Sequence, residues 1–293
     1  MKVTDAFEPF LPLCQRLLPC RLAGLSVALL KATALEFAIL AGHLLLYPSG
    51  LMQERREAAA LQSAEDAEDP ARLPTQGPPP VVLLHGFIDN RSVFVLLRRS
   101  LVQHGRHRVE SLNYSPLTCD IRTAAELLGR HIEEICDRTG SPQVDVVGHS
   151  LGGLIARYYV QCLGGDLRVR TLVTLGTPHS GTRVAPLANA HPIVRQMRPE
   201  SPLIQELQSP APGCRTRFVS FWSDLDHLMD PLESACVAHP DLHAENVRVT
   251  GVGHLALPVH PAVATGIRQA LDGTGTRDTN GTTKTHRGGL TVA

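Results

Sequence analysis

The stretch VDVVGHSLGGLIARYYV, from Val144 to Val160, constrains this chain more than any other. A short β-branched run reads as a strand, a few small and polar residues allow a sharp turn, and the apolar run from Leu151 reads as a helix. A strand that turns directly into a helix lays that helix back on its own sheet, the repeating step of a parallel sheet covered by helices. The same alternation recurs along the chain. Residues 81–84, 109–112, 144–147, 171–175, 218–221 and 247–250 are the candidate strands. Between the second and third, Ile121, Ala124, Ala125, Leu128, Ile132, Ile135 and Cys136 recur at helical spacing behind Asp120, placed as an N-cap. The expectation is an α/β fold, a mostly parallel sheet flanked by helices, over residues 79–271. The prolines and short apolar clusters of residues 182–214 interrupt the alternation and read as an inserted helical cap.

The flanks differ in composition. Residues 1–52 hold the densest apolar run of the chain, with nine leucines between Leu22 and Tyr47. That run is long enough to span a bilayer. Lys31 and Glu36 near its centre each cost about 3 kcal/mol on insertion, against about 0.3 to 0.6 kcal/mol returned per leucine. Two readings stay open: a spanning anchor, or an amphipathic helix packed on the domain or lying in a membrane interface, with residues 17–47 making the association. The interrupted, late-starting run does not suit a cleavable signal peptide. Lys2, Arg16 and Arg21 precede it and favour a cytoplasmic N-terminus, which places the rest at the membrane or in an extracytoplasmic, periplasmic or secreted location. Residues 53–78 read as a charged helix and proline-rich linker, and residues 272–293, nearly devoid of apolar side chains, as a disordered tail.

Charge excludes one class of partner. Lys and Arg total 28, Asp and Glu total 28, and the net charge of +0 leaves no basic face for nucleic acid. The seven cysteines form no CxxC pair, so the sequence points to no zinc or other metal site. Cys214 and Cys236 flank the segment that carries a candidate acid; a disulfide between them is left open, allowed if the domain lies outside the cytosol.

The turn at Gly148, Ser150 and Gly152 is a GxSxG pattern between strand and helix, an arrangement that exposes a serine hydroxyl at the carboxyl edge of a sheet. A serine alcohol is a poor nucleophile until a base takes its proton. His254, in the turn after the last candidate strand, best fits that base. A carboxylate between the two in sequence must orient the imidazole. The loop SDLDHLMDP offers Asp224, Asp226 and Asp230; Asp226 is chosen, Asp224 is second, and Asp230 before Pro231 suits a turn. Acyl transfer also needs two backbone N–H donors for the developing oxyanion. Leu151 supplies one and Phe87, in the loop after the first strand, the other. His85 in that loop reads as a hydrogen-bonding strut.

HGF at His85 to Phe87, GHSLGG at Gly148 to Gly153, ARYY at Ala156 to Tyr159, LGTPHSGT at Leu175 to Thr182, SDLDHLMDP, and GVGHLAL at Gly251 to Leu257 together resemble the bacterial lipases and esterases of the α/β-hydrolase superfamily. The matching pieces lie between Val81 and Leu271. The resemblance implies an α/β-hydrolase fold with a lid, a Ser150, Asp226, His254 triad, favouring Asp226 over Asp224, a loop-shaping role for His179, and no cofactor. Many secreted triacylglycerol lipases carry an aspartate immediately before the histidine and a calcium site nearby. Gly253 stands there in this chain, so no structural calcium is expected. The implied activity is hydrolysis of acyl esters, lipid-like in view of the cap and the apolar N-terminus, through an acyl-enzyme. The superfamily also holds acyltransferases and thioesterases with the same triad, and a catalytically silent lipid-binding protein on this fold is a further alternative.

Overall fold

Strands buried on both faces need apolar side chains on both faces, and the runs at 81–84 and 144–147 supply them. In the computed structural model, which describes residues 77–87, 91–114, 120–184, 191–273 and 290–292 together with Glu36 and Ala41, these runs form one parallel sheet. Its strands are β1 (Val81–Leu84), β2 (Val109–Leu112), β3 (Val144–His149), β4 (Val169–Leu175), β5 (Arg217–Ser223), β6 (His243–Val249) and β7 (Leu290–Val292). They lie in the order β2-β1-β3-β4-β5-β6-β7, each pair parallel. The pairing sets Leu84 beside Gly148 and His149 beside Leu175, so the loops that follow β1, β3 and β4 emerge at one edge.

Alternation along each strand divides the core in two. Val82, Leu84, Val144, Val146, Leu172 and Phe218 pack under α2 (Ile121–Thr139) and α3 (Leu151–Cys162). Val81, Leu83, Val147, Val173, Val219 and Phe221 pack under α1 (Val95–Gln103) and α6 (Pro261–Asp272). The α2 helix starts where Asp120 accepts a hydrogen bond from the Thr123 amide at 2.8 Å and ends at Gly140, whose φ of 65° is open to glycine at little cost. Its buried stripe is the set Ile121, Ala124, Ala125, Leu128, Ile132, Ile135 and Cys136 that the periodicity gave. By contrast, α3 is buried at ten successive positions, Leu151 to Val160, as a helix sandwiched between the sheet and other helices must be.

The amino end of the sheet rests on a buried ionic knot. Asp145 is fully buried and accepts from Arg106 Nη1 at 3.0 Å and from Arg170 Nε and Nη2 at 3.0 and 2.7 Å. Both guanidinium groups also donate to the Leu271 carbonyl near the C-terminus of α6, where the helix dipole favours cations. One carboxylate thereby ties β3 and β4 to α6.

The segment expected to be a cap holds two short helices, α4 (Pro192–Gln196) and α5 (Pro202–Glu206), with residues 185–190 outside the described set. Their apolar residues Ile193, Val194, Leu203 and Ile204 belong to the same buried cluster as α2 and α3. They close the core rather than face open space. Two expectations are corrected. The disordered tail does not extend over Leu290–Val292, which pairs with Val247–Val249 of β6; residues 274–289 lie outside the described residues. Cys214 and Cys236 are free thiols, not a bridge. Cys214 precedes Thr216, which bonds the start of β4, whereas Cys236 follows Ala235, whose carbonyl is bonded by Ser220. Apart from Glu36 and Ala41, the apolar segment and the linker of residues 53–76 lie outside the described residues. Among those described, no helix is long and apolar enough to cross a membrane.

Candidate active site

Ser150 stands between β3 and α3 with φ 52° and ψ −117°. A non-glycine residue with positive φ is strained, and it persists where its surroundings fix it. They do so here. Its amide donates to the Leu175 carbonyl at 2.9 Å, and its carbonyl accepts from Thr177 Oγ1 at 3.0 Å. The helix starting at Leu151 leaves its first amides without intrahelical acceptors and presents the positive end of its dipole at this turn. Close packing brings the loop after β1 against the same turn. A Cβ on Gly152 would stand 2.4 Å from the Leu84 carbonyl oxygen and 2.6 Å from that of His85, so this position admits only glycine.

The loop after β1 is braced by rings. His85 is buried, its Nδ1–H donates to the Gly86 carbonyl at 2.9 Å, and its ring stacks on Tyr114 at 4.4 Å between centroids. The Tyr114 hydroxyl donates to the His85 carbonyl. These contacts fit a strut. Phe87 is half-buried and meets His191 edge-on at 5.5 Å, which joins the loop to the start of α4; residues 88–90 lie outside the described set.

Beyond β5 and β6 the other two candidates meet. His254 Nδ1 and Asp226 Oδ2 are 2.7 Å apart, both side chains buried. Asp226 Oδ1 accepts from the Leu228 amide at 3.0 Å, which fixes the carboxylate plane. An Nδ1–H donated to Asp226 leaves the lone pair on Nε2, the tautomer a base requires. The two alternatives lie elsewhere. Asp224 accepts from Arg248 Nη2 at 3.0 Å and from the Gly251 amide at 3.1 Å, while the backbone of Asp230 bonds to Thr182 and Arg183.

The edge of β3 and β4 adjoins this pair. A Cβ on Gly176, one residue after the Leu175 that bonds Ser150, would stand 2.8 Å from Asp226 Oδ2 and 3.0 Å from His254 Nδ1. His149, next to Ser150, sets its ring 4.8 Å from that of His254, and its Nε2–H donates to the His254 carbonyl at 3.2 Å. Ser150, Asp226 and His254 thus lie in the loops that follow β3, β5 and β6, at the carboxyl edge of the sheet.

Sequence reasoning missed several supports. His149 stands inside the quoted GHSLGG motif, and its position next to the serine was a usable signal. Arg157, in ARYY, is buried without a carboxylate: it donates to the carbonyls of His179 at 3.1 Å and Leu207 at 2.7 Å. His179 is fully buried, with Nε2–H donating to Thr174 Oγ1 at 3.0 Å, which donates on to Ser220 Oγ at 2.9 Å. Burial first and the Arg157 charge second hold the His179 pKa well below the ordinary histidine value, so the ring is neutral. Glu36 accepts from the Leu255 and Ala256 amides at 2.9 and 3.0 Å, and nothing in the sequence links it to that loop. Among the described residues no group of three His, Cys, Asp or Glu is arranged to hold a metal ion.

Comparison with known proteins bears on the same region. Residues 79–200 match the family model described as the alpha/beta hydrolase fold. The chain is similar to a triacylglycerol lipase of Pseudarthrobacter phenanthrenivorans, 32% identical over 114 residues, which are 36% of this chain and 35% of the relative. A triacylglycerol lipase of Burkholderia plantarii is likewise 32% identical over 114 residues, 36% of this chain and 31% of that one. The chain therefore spans about a third of the length of the curated relatives it matches. Among solved structures, Aspergillus fumigatus lipase B superposes with a TM-score of 0.60 at 18% identity, over 70% of this chain and 55% of that one. Bacillus licheniformis lipase BlEst2 in its mature form gives 0.56 at 16% identity, over 69% and 96%. At these identities the superpositions show the fold.

Proposed function

From a chain that carries the α/β-hydrolase fold, we infer a serine carboxylester hydrolase in which Ser150, His254 and Asp226 form the triad. The observation that carries this reading is the buried 2.7 Å pair of Asp226 and His254 beside a serine held at φ 52° in a strand-to-helix turn. His254 Nε2 takes the Ser150 proton as Oγ attacks the ester carbonyl. The oxyanion of the tetrahedral intermediate accepts from the amides of Leu151 and Phe87. Collapse expels the alcohol, protonated by the imidazolium that Asp226 stabilises. Water, deprotonated by His254, then attacks the acyl-enzyme and frees the acid and the serine. The chemistry needs no cofactor.

Similarity to two triacylglycerol lipases supports an acyl ester of lipid type as substrate. The apolar composition of residues 17–47 supports association with a membrane and an extracytoplasmic location. The contact of Glu36 with the catalytic domain favours lying at the interface over spanning it, since that carboxylate is taken up by backbone amides.

Hydrolysis of p-nitrophenyl esters from acetate to palmitate by the full chain, beside Ser150→Ala, tests the reading. The expected result is turnover that falls by at least about a thousandfold in the variant, with preference for longer acyl chains. Activity surviving in Ser150→Ala would sink it.

A further inference from the structure

The loop that presents His254 is held from both sides by one residue 219 positions upstream of Leu255. Glu36, helical and half-buried, accepts the Leu255 amide on Oε2 at 2.9 Å and the Ala256 amide on Oε1 at 3.0 Å. Leu255 and Ala256 belong to the turn in which the Leu257 amide bonds back to the His254 carbonyl, ahead of the short helix Leu257–Val259. A carboxylate accepting two successive amides there acts as a cap. On the amino side of His254, the same carboxylate packs against Gly253. A Cβ on Gly253 would lie 2.4 Å from Glu36 Oε1 and 2.5 Å from Cδ. The glycine that precedes the histidine is thus matched to the glutamate that occupies its side-chain space.

His254 has three kinds of support: Asp226 on its ring, His149 on its carbonyl, and Glu36 on the backbone around it. The first two come from the catalytic domain. The third comes from the apolar N-terminal segment, where a charge at that position otherwise works against burial in lipid.

We propose that Glu36 is a positioning residue for His254, making the N-terminal segment a working part of the catalytic site rather than a tether. The assignment rests on reading His254 as the general base. Glu36 fixes the backbone on both sides of the residue whose imidazole bonds Asp226. A misplacement of about 1 Å at a base costs about a hundredfold in rate.

The test uses the full chain. Glu36→Ala is expected to lower kcat by about ten- to hundredfold while KM stays within about twofold. Glu36→Gln keeps one carbonyl acceptor for these amides and is expected to retain more of kcat than Glu36→Ala. Gly253→Ala impairs the wild-type background and is tolerated in Glu36→Ala, where the space is free. Amide exchange supplies a readout apart from catalysis: protection of Leu255 and Ala256 falls in Glu36→Ala by about tenfold or more. Unchanged exchange overturns the anchor. Lost protection with unchanged kcat and KM overturns the positioning role. Should Glu36→Ala not fold, Glu36→Gln and Gly253→Ala decide by the same measures. A wild-type chain that turns over no ester and leaves Ser150 unlabelled by a fluorophosphonate sinks the hydrolase reading instead, while exchange still decides whether Glu36 holds the loop.

Discussion

Ser150, Asp226 and His254 come from three loops, and each is also held by backbone groups or side chains outside the proposed triad. Asp226 spends one carboxylate oxygen on the Leu228 amide and the other on His254. Asparagine there keeps the shape but favours the wrong imidazole tautomer, so Asp226→Asn should lower kcat by about three to four orders of magnitude. Asp224, bonded to Arg248 and Gly251 at the rim, serves as the control. Asp224→Asn should stay within about threefold of wild type; the two rates, measured side by side on one soluble ester, decide which aspartate is the acid. At this scale the site was largely legible. Ser150 is announced by its turn, and His254 and Asp226 by lying after strands. Among three aspartates within seven positions of one loop, the resemblance favoured Asp226, and the fold supplies the physical reason: only that carboxylate is bonded to His254 among the three.

The helix α3 behaves as a beam between site and cap. Arg157 on its buried face holds the carbonyl of His179, in the loop after β4, and that of Leu207, at the end of α5. Desolvation pushes its pKa down to about 10, which leaves it charged at neutral pH. Buried carbonyls that lose such a donor cost about 1 to 3 kcal/mol each. Arg157→Met should therefore lower stability by about 3 kcal/mol in urea titration, and loosen α5 more than α2 as judged by amide exchange. The elements themselves were readable where period and burial coincide, as in the seven-residue stripe of α2. The strand Leu290–Val292 was not readable: its pairing with β6 is a backbone interaction, and the polar, glycine-containing sequence before it gives no period. The apolar side chains of α4 and α5 were legible as apolar, yet not the direction in which they face, since two five-residue helices are too short to define a stripe.

For the molecule as a whole, acid is the weak side. His179 is buried and neutral, with its pKa well below that of an exposed histidine, first through burial and then through Arg157. His131 shifts in the same direction, also first through burial. The unfolded chain takes up those protons near pH 6.5, so the stability these rings contribute is present above that pH and is lost as pH falls below it. His179→Gln, whose amide can still donate to Thr174, should narrow the difference in urea midpoint between pH 7.5 and pH 5. An undiminished difference would show that His179 does not carry it. What the sequence hid at this scale is the link from Glu36 to the His254 loop, for no local pattern marks a contact across 219 positions. That link also orders events in time. A ribosome makes Glu36 before Ser150 and the turn at His254 after both, so the carboxylate is made 219 positions ahead of the first amide it holds. On the proposed triad, a nascent chain that already carries Ser150 and Asp226 still lacks His254, so the loop that Glu36 holds is also the one that would complete the site.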